Sequence, residues 1–371
     1  MFLGKMIMPE SERFAVTYVV PTYNRPEFLH RLLEFFAQAE LKNPIVIADS
    51  SNSEKHFRNR QLVMSYQNRL QIDYFHEDIP LIEKISAALY RVKSPCLTFC
   101  ADDDFAFPSI VDQCGDFLMN HPDFAVAQGR VVNASNTNSI RSSTYACEVL
   151  NSYSMTQDSA ADRFSTMASN SFSTFYAIHR TNLARRQFDL TAKHTDYQSG
   201  RVFTESLLIG LSVIAGKVMV FPEIHYIQQV HGANDSCRLS RISDRSQKDA
   251  MYSRYKAALT QEIQAETNLT EAAAGELVEN CISLLPGFTK RKKSRVGPGQ
   301  KIVRELGRVI VRLARAFSRR AVSGTVRADS TAELRNAHLI PSGPVYQLAF
   351  QMLSEYPEGI RTELQHDEVA A

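Results

Sequence analysis

Leu97-Thr98-Phe99-Cys100-Ala101-Asp102-Asp103-Asp104-Phe105 is the stretch on which the fold turns. Cys96 to Cys100 carries no charge and reads as a short buried strand, and three carboxylates end it. Asp is a poor strand former, and adjacent carboxylates repel one another. A hard divalent cation bound through carboxylate oxygen is the usual compensator. The C-terminal ends of strands in an open α/β sheet are also where ligands sit. The stretch therefore reads as a strand ending in a metal platform for a phosphorylated ligand. The plainer alternative is a solvated acidic turn leading into the helix that Pro108 opens.

Upstream, Phe14 to Val20 predicts a first strand, followed by Pro21-Thr22-Tyr23-Asn24-Arg25. Pro26 sits where a helix tolerates it best, and Phe28, Leu29, Leu32, Leu33 and Phe36 recur at helical spacing. Ile45 to Ala48 predicts a second strand ending at the polar run Asp49 to Ser53. A polar helix follows over Glu54 to Asn68, then a third strand over Ile72 to Phe75 and a helix from Pro80. Downstream come a helix from Pro108 and a strand from Phe124 to Gly129. Strands alternating with helices predict a right-handed, mostly parallel sheet flanked by helices. Three polar clusters, after the first, second and fourth strands, then converge on one edge.

Further on, Asn133 to Thr144 reads as a surface loop, and Ser159 and Asp162 have capping-box spacing. Ser173 to Ile178 predicts a strand, and Leu207 to Ala215 an apolar helix with Glu205 near its start. Lys217 to Pro222 reads as a strand followed by Ile224 to His231, and Ser246 to Leu285 as largely helical.

The 371 residues are 44% hydrophobic and 22% charged, an ordinary globular composition. Cysteines 96, 100, 114, 147, 237 and 281 show no Cys-x-x-Cys spacing, which points to a reducing cytoplasm and no zinc site. Met1 to Arg13 has no signal-peptide core, and Leu207 to Phe221 is too short, and broken by Lys217, to span a bilayer. The net charge of +2 hides an asymmetry. Lys290 to Arg320 holds twelve basic residues against Glu305 alone, a net +11, which leaves −9 elsewhere. There Ile302, Leu306, Val309, Leu313 and Phe317 recur on one helical face, with Arg304, Arg308, Arg312, Arg315 and Arg319 roughly opposite. That is the profile of a helix lying on an anionic membrane surface, or of one docked on its own acidic domain. Few aromatics interleave with the arginines, so nucleic acid is the weaker partner. The division read from the sequence is a catalytic domain over 14–240, a helical segment over 241–289, and a basic extension with a partly disordered tail over 290–371.

Val20-Pro21-Thr22-Tyr23-Asn24-Arg25, Asp49 after the second strand and Asp102-Asp103-Asp104 after the fourth together resemble the family 2 glycosyltransferases of the GT-A fold. The resemblance implies a UDP- or GDP-sugar donor and a Mn²⁺ or Mg²⁺ cofactor. It implies that Pro21, Thr22, Tyr23 and Arg25 pack on the nucleotide and that Asp49 accepts a hydrogen bond from the base. Asp102 and Asp103 would face the donor, with Asp104 and Asp102 at the metal and His231 as a further metal or diphosphate contact. His225 is a second such histidine, and Tyr176 and Arg180 are further contacts to donor or acceptor. Inverting members carry a carboxylate base at a helix start, which points to Glu205, with Asp196 in reserve. The chain contains no Trp and so cannot carry the Gln-x-x-Arg-Trp motif of processive synthases. One sugar per visit, delivered to a glycan or lipid-linked acceptor, is the expectation. A nucleotidyltransferase would want a Gly-rich loop where Pro21 to Arg25 stands, and a catalytically silent sugar-nucleotide-binding module is the remaining alternative.

Overall fold

The computed structural model describes residues 15–136, 144–170, 172–231, 244–285, 325–327 and 343–355. Its frame is four parallel strands. β1 (Val16–Thr22) lies between β2 (Ile45–Asp49) and β4 (Cys96–Phe99), and β3 (Ile72–His76) adds outside β2. Helix α1 (Pro26–Gln38) follows β1, α2 (Ser53–Tyr66) follows β2, and α3 (Leu81–Arg91) follows β3. Side chains alternate across a strand, and the alternation sorts them here. Tyr18 and Val20 pack with Leu29, Leu32 and Phe36 of α1, while Val19 and Phe99 pack with Ile85 and Leu89 of α3. Both sheet faces are thus covered, and the carboxyl ends of β1, β2 and β4 form one edge.

Beyond β4 the direction changes. After β5 (Phe105–Ala106) and α4 (Pro108–Asn120), β6 (Phe124–Asn136) runs well past Gly129 into the segment expected to be a loop. It is held by β7 (Thr144–Val149), antiparallel to it. Helix α5 (Ala160–Ser169) begins at Ser159, whose hydroxyl accepts from the Asp162 N–H. The strand expected over Ser173 to Ile178 is β8 (Ile178–Arg180), placed antiparallel between β4 and β6. Residues 173–177 instead turn, with the Ala177 N–H donating to the Thr174 carbonyl. The sheet is therefore mixed, parallel in its first half.

Helix α6 (Thr181–His194) leads to α7 (Tyr197–Ala215), which kinks at Gly200. The apolar helix expected from Phe203 is the part of α7 after this kink, and Glu205 stands near its start. β9 (Lys217–Val230) is one continuous strand, parallel to β6, with register shifts around Gln128 and Arg130. Pro222 lacks a ladder donor and falls at that irregularity. Gly129 opposes it there. A Cβ on Gly129 would lie 2.3 Å from the Glu223 carbonyl oxygen, so the two backbones approach in a way no side chain permits.

Helices α8 (Arg245–Ala265) and α9 (Glu271–Leu284) pack with α5 and α7 around a second core. Residues Thr325–Arg327 form β10, antiparallel to β7. Helix α10 (Pro344–Glu355) packs Phe350 and Leu353 into the first core, and Tyr346 donates to the Ile224 carbonyl. The C-terminal region thus holds an ordered helix on the catalytic sheet. The basic helix expected over 300–320 lies outside the described residues. Among the described residues no helix is long and apolar enough to cross a membrane, and the five cysteines are free and buried.

Candidate active site

A cavity of about 460 Å³ opens at the carboxyl edge of β1 and β4. Pro21, Thr22, Tyr23 and Arg25 line one end with Leu81, Ile82 and Lys84 of α3. Asp103 also lies in its wall, as do Phe175, Tyr176, Arg201 and Glu205. Its size suits a small-molecule ligand.

The acidic trio is buried, with exposures of 0%, 3% and 1% for Asp102, Asp103 and Asp104. Each carboxylate is engaged differently. Asp102 accepts from the Thr22 hydroxyl at 2.7 Å and is ion-paired with Arg25. Asp103 accepts from Arg25 at 2.9 Å and meets His231 Nε2 at 2.9 Å. Asp104, expected at the metal, turns away from the cavity: its oxygens accept from the Tyr226 hydroxyl at 2.7 Å and the Gln229 N–H at 2.8 Å. Adjacent residues cannot all face one way, and Asp103 takes the cavity wall.

The same geometry separates their acidities. Burial raises Asp102 to about 6 against the pull of Arg25. Burial would raise Asp103 too, but Arg25 and His231 overcome it and hold its carboxyl well below the usual range. Burial and then the Asp103 charge push Asp104 well above that range. Much of the compensation for the trio thus comes from within the protein, through Arg25.

Two cations that sequence reading passed over brace the site. Arg31 and Lys84 lie among the inward, apolar positions of α1 and α3, and a charge in an apolar stripe is the signal that marks them. Arg31 donates to the Asp103 carbonyl at 2.6 Å and to Gln229 Oε1 at 2.7 Å. Lys84 donates to the Thr22 carbonyl at 2.8 Å, fixing the loop that follows β1.

Asp49 is fully buried, away from the cavity lining. It accepts from the Ser51 N–H, Asn59 and the Tyr74 hydroxyl. Burial opposes these bonds, yet they hold its carboxyl below its usual value. His225 is enclosed between the Tyr176 and Arg130 carbonyls, and burial lowers its pKa to about 4, so its ring stays neutral. Arg180 donates to the carbonyls of Leu118, His121 and Phe124, tying down the end of α4. Tyr176 lines the cavity and stacks on Tyr226, 4.3 Å between centroids. Glu205 lines the cavity and is paired with Arg201 one helical turn before it, at 2.5 Å. Asp196 is exposed and outside the cavity lining.

Among the described residues no three His, Cys, Asp or Glu side chains converge as a metal cage. Asp103 and His231 do converge, and His231 is set by stacking on Phe28 at 5.1 Å. Cations that act on phosphate ligands commonly take one or two protein carboxylates and complete their shell from phosphate and water. Carboxylate oxygen is the donor such an ion prefers, and the imidazole is the weaker partner of the pair. On chemistry the pair fits Mn²⁺ or Mg²⁺ held jointly with a ligand.

Residues 17–189, from the first strand through most of α6, match the family described as Glycosyl transferase family 2. The structure of S. aureus TarS residues 1–349 in complex with UDP-GlcNAc is similar in fold to this chain. Its TM-score is 0.52 at 15% identity, over 73% of this chain and 72% of that one. A longer TarS structure aligns at 14% identity and a TM-score of 0.49, and the match spans only 43% of its length. The mannosyltransferase PcManGT from Pyrobaculum calidifontis, in complex with GDP-Man and Mn²⁺, aligns at 10% identity and 0.45, over 93% of this chain and 87% of that one. No curated protein sequence matches the chain. The matched residues end within α6, so α7, with Arg201 and Glu205, lies beyond them.

Proposed function

We propose that this chain is a glycosyltransferase that moves a single sugar from a nucleotide-diphosphate sugar to a hydroxyl of a glycan or lipid-linked acceptor, with inversion. The observation that carries the reading is the shared cavity. The Pro21–Arg25 loop, Asp103 and Glu205 come from three distant parts of the chain and line one space. A fold neighbour bound to UDP-GlcNAc supports the donor class.

In this reading the nucleotide lies along Pro21 to Arg25 and α3, and its diphosphate reaches Asp103. Asp103 and His231 would hold a divalent cation, which when bound neutralises the charge of the departing diphosphate. Arg25 faces the same phosphates and adds a fixed positive charge. Glu205 takes the proton of the acceptor hydroxyl as its oxygen bonds the anomeric carbon and the bond to the diphosphate breaks. Arg201 orients that carboxylate. Tyr176 forms the floor beneath the sugar. Asp49 and Asp102 act indirectly, by fixing the loops that carry the nucleotide site. Without a Trp-bearing processive motif, the enzyme releases product after each transfer. The Lys290 to Arg320 segment would bring it to an anionic membrane surface where lipid-linked acceptors lie.

The test is donor turnover. Incubation with a panel of UDP- and GDP-sugars should release nucleoside diphosphate slowly without acceptor. Glu205→Gln should keep donor affinity and lose transfer by about 10²–10⁴-fold. Release of pyrophosphate instead would assign nucleotidyl transfer, and no release with any donor would leave only binding.

A further inference from the structure

Gln128 is the oddity of the cavity. It sits on β6 just before the irregular register, is 1% exposed, and lines the cavity wall. Neither its Nε2 nor its Oε1 has a hydrogen-bond partner. The hydroxyl of Ser152, in the same wall, is also buried and without a partner. Buried amides are nearly always satisfied, so an orphaned one needs a reason. In the wall of a ligand cavity, the simplest reason is that the ligand completes it.

We infer that Gln128 and Ser152 form a subsite that reads the hydroxyl or amide substituents of an uncharged sugar. This rests on the donor reading above and narrows its substrate class. The neutral polar residues Asn151, Ser173 and Gln228 also line the cavity. The charged lining residues are Arg25, Lys84 and Asp103 toward the loop after β1, and Arg201 and Glu205 on α7. A carboxamide donates through nitrogen and accepts through oxygen, so it matches a hydroxyl, which does both. A sugar carboxylate only accepts, and it would leave Oε1 facing an anion. The subsite therefore selects neutral hexoses or N-acetylhexosamines against uronic acids. A site built to bond a hydroxyl discriminates strongly, because the wrong ligand leaves its polar groups unpaired.

Titration calorimetry on the full chain tests this, comparing UDP, GDP, UDP-glucose, UDP-N-acetylglucosamine, GDP-mannose and UDP-glucuronate. The preferred neutral sugar nucleotide should bind more tightly than its own free diphosphate, and UDP-glucuronate no more tightly than UDP. Gln128→Met, close in volume, should weaken the sugar nucleotide about tenfold while leaving the free diphosphate unchanged. Ser152→Ala should lose a smaller part of the same difference. Gln128→Leu, which also removes both polar atoms, gives the same selective loss and serves if the Met variant does not fold. An unchanged ratio of sugar nucleotide to diphosphate in these variants, or a preference for the uronate, would overturn the subsite while leaving donor binding standing. Absence of binding by every nucleotide to the wild type would sink the donor reading and the subsite with it.

Discussion

Arg25→Met is the most informative perturbation of the buried acidic trio. Arg25 bridges Asp102 and Asp103, with its own side chain 22% exposed and theirs 0% and 4%. At an effective dielectric near 20 and about 4 Å between charges, each pair is worth about 4 kcal/mol. Losing both sets an upper bound of about 8 kcal/mol. The protein can relax by protonation. Asp102 already titrates at about 6, so taking up a proton at pH 7 costs only about 1.4 kcal/mol. Water also reaches the exposed end of Arg25. The net loss at pH 7 should be about 2–4 kcal/mol, at the lower end of what breaking a buried pair costs.

The sign of the pH dependence follows. Asp102 is raised in the folded state, so folding favours its protonated form, and acidification through pH 6 removes the charge that Arg25 balances. The gap in stability between wild type and Arg25→Met should therefore narrow between pH 7.5 and pH 5. Urea unfolding of both proteins across that range measures it. Equal stability at pH 7.5, or a gap that widens with acid, would refute the assignment of Arg25 as counter-ion. Mn²⁺ should stabilise Arg25→Met against unfolding more than it stabilises wild type, because Asp103 and His231 then face less competition.

Two neighbouring carboxylates should separate by assay. Asp103→Asn should abolish metal-enhanced binding of nucleoside diphosphate with little change in fold. Asp104→Asn should cost about 1–3 kcal/mol of stability, because its N–H₂ replaces one of the two oxygens that accept from the Tyr226 hydroxyl and the Gln229 N–H, with nucleotide binding retained at low temperature. His225 should stay neutral down to about pH 4 in an NMR titration of labelled imidazole. Because its folded pKa is depressed, the unfolded chain takes up the proton first. Its contribution to stability is thus full above about 6.5 and falls toward pH 4 by up to about 1.4 kcal/mol per pH unit. Titration near 6.5 in the folded protein would show that the ring is not enclosed. Removing divalent metal with EDTA should weaken nucleotide binding in wild type without lowering the unfolding temperature of the ligand-free protein, since Arg25 already pairs with Asp102 and Asp103.

Periodicity and punctuation alone determined the first half of the fold. Alternating apolar runs bounded by Pro26, Pro44, Pro80 and Pro108 place four parallel strands and their helices, because backbone sterics and burial act locally there. They also bring Pro21–Arg25 and Asp102–Asp104 to one edge. The second half was less legible. β8 has only three residues, too few for a pattern, and its antiparallel seat between β4 and β6 is decided by partners far away in sequence. The extension of β6 into a polar segment likewise depends on β7 and β9, which supply its hydrogen bonds. At the site, the sequence named the acidic trio but not which carboxylate faces the ligand. That choice belongs to the tertiary structure: Tyr226 and Gln229, more than 120 residues downstream, capture Asp104, and Arg25 takes Asp102, leaving Asp103 at the wall. A side chain's charge is written in the sequence, but its direction is set by whichever distant donor gets there.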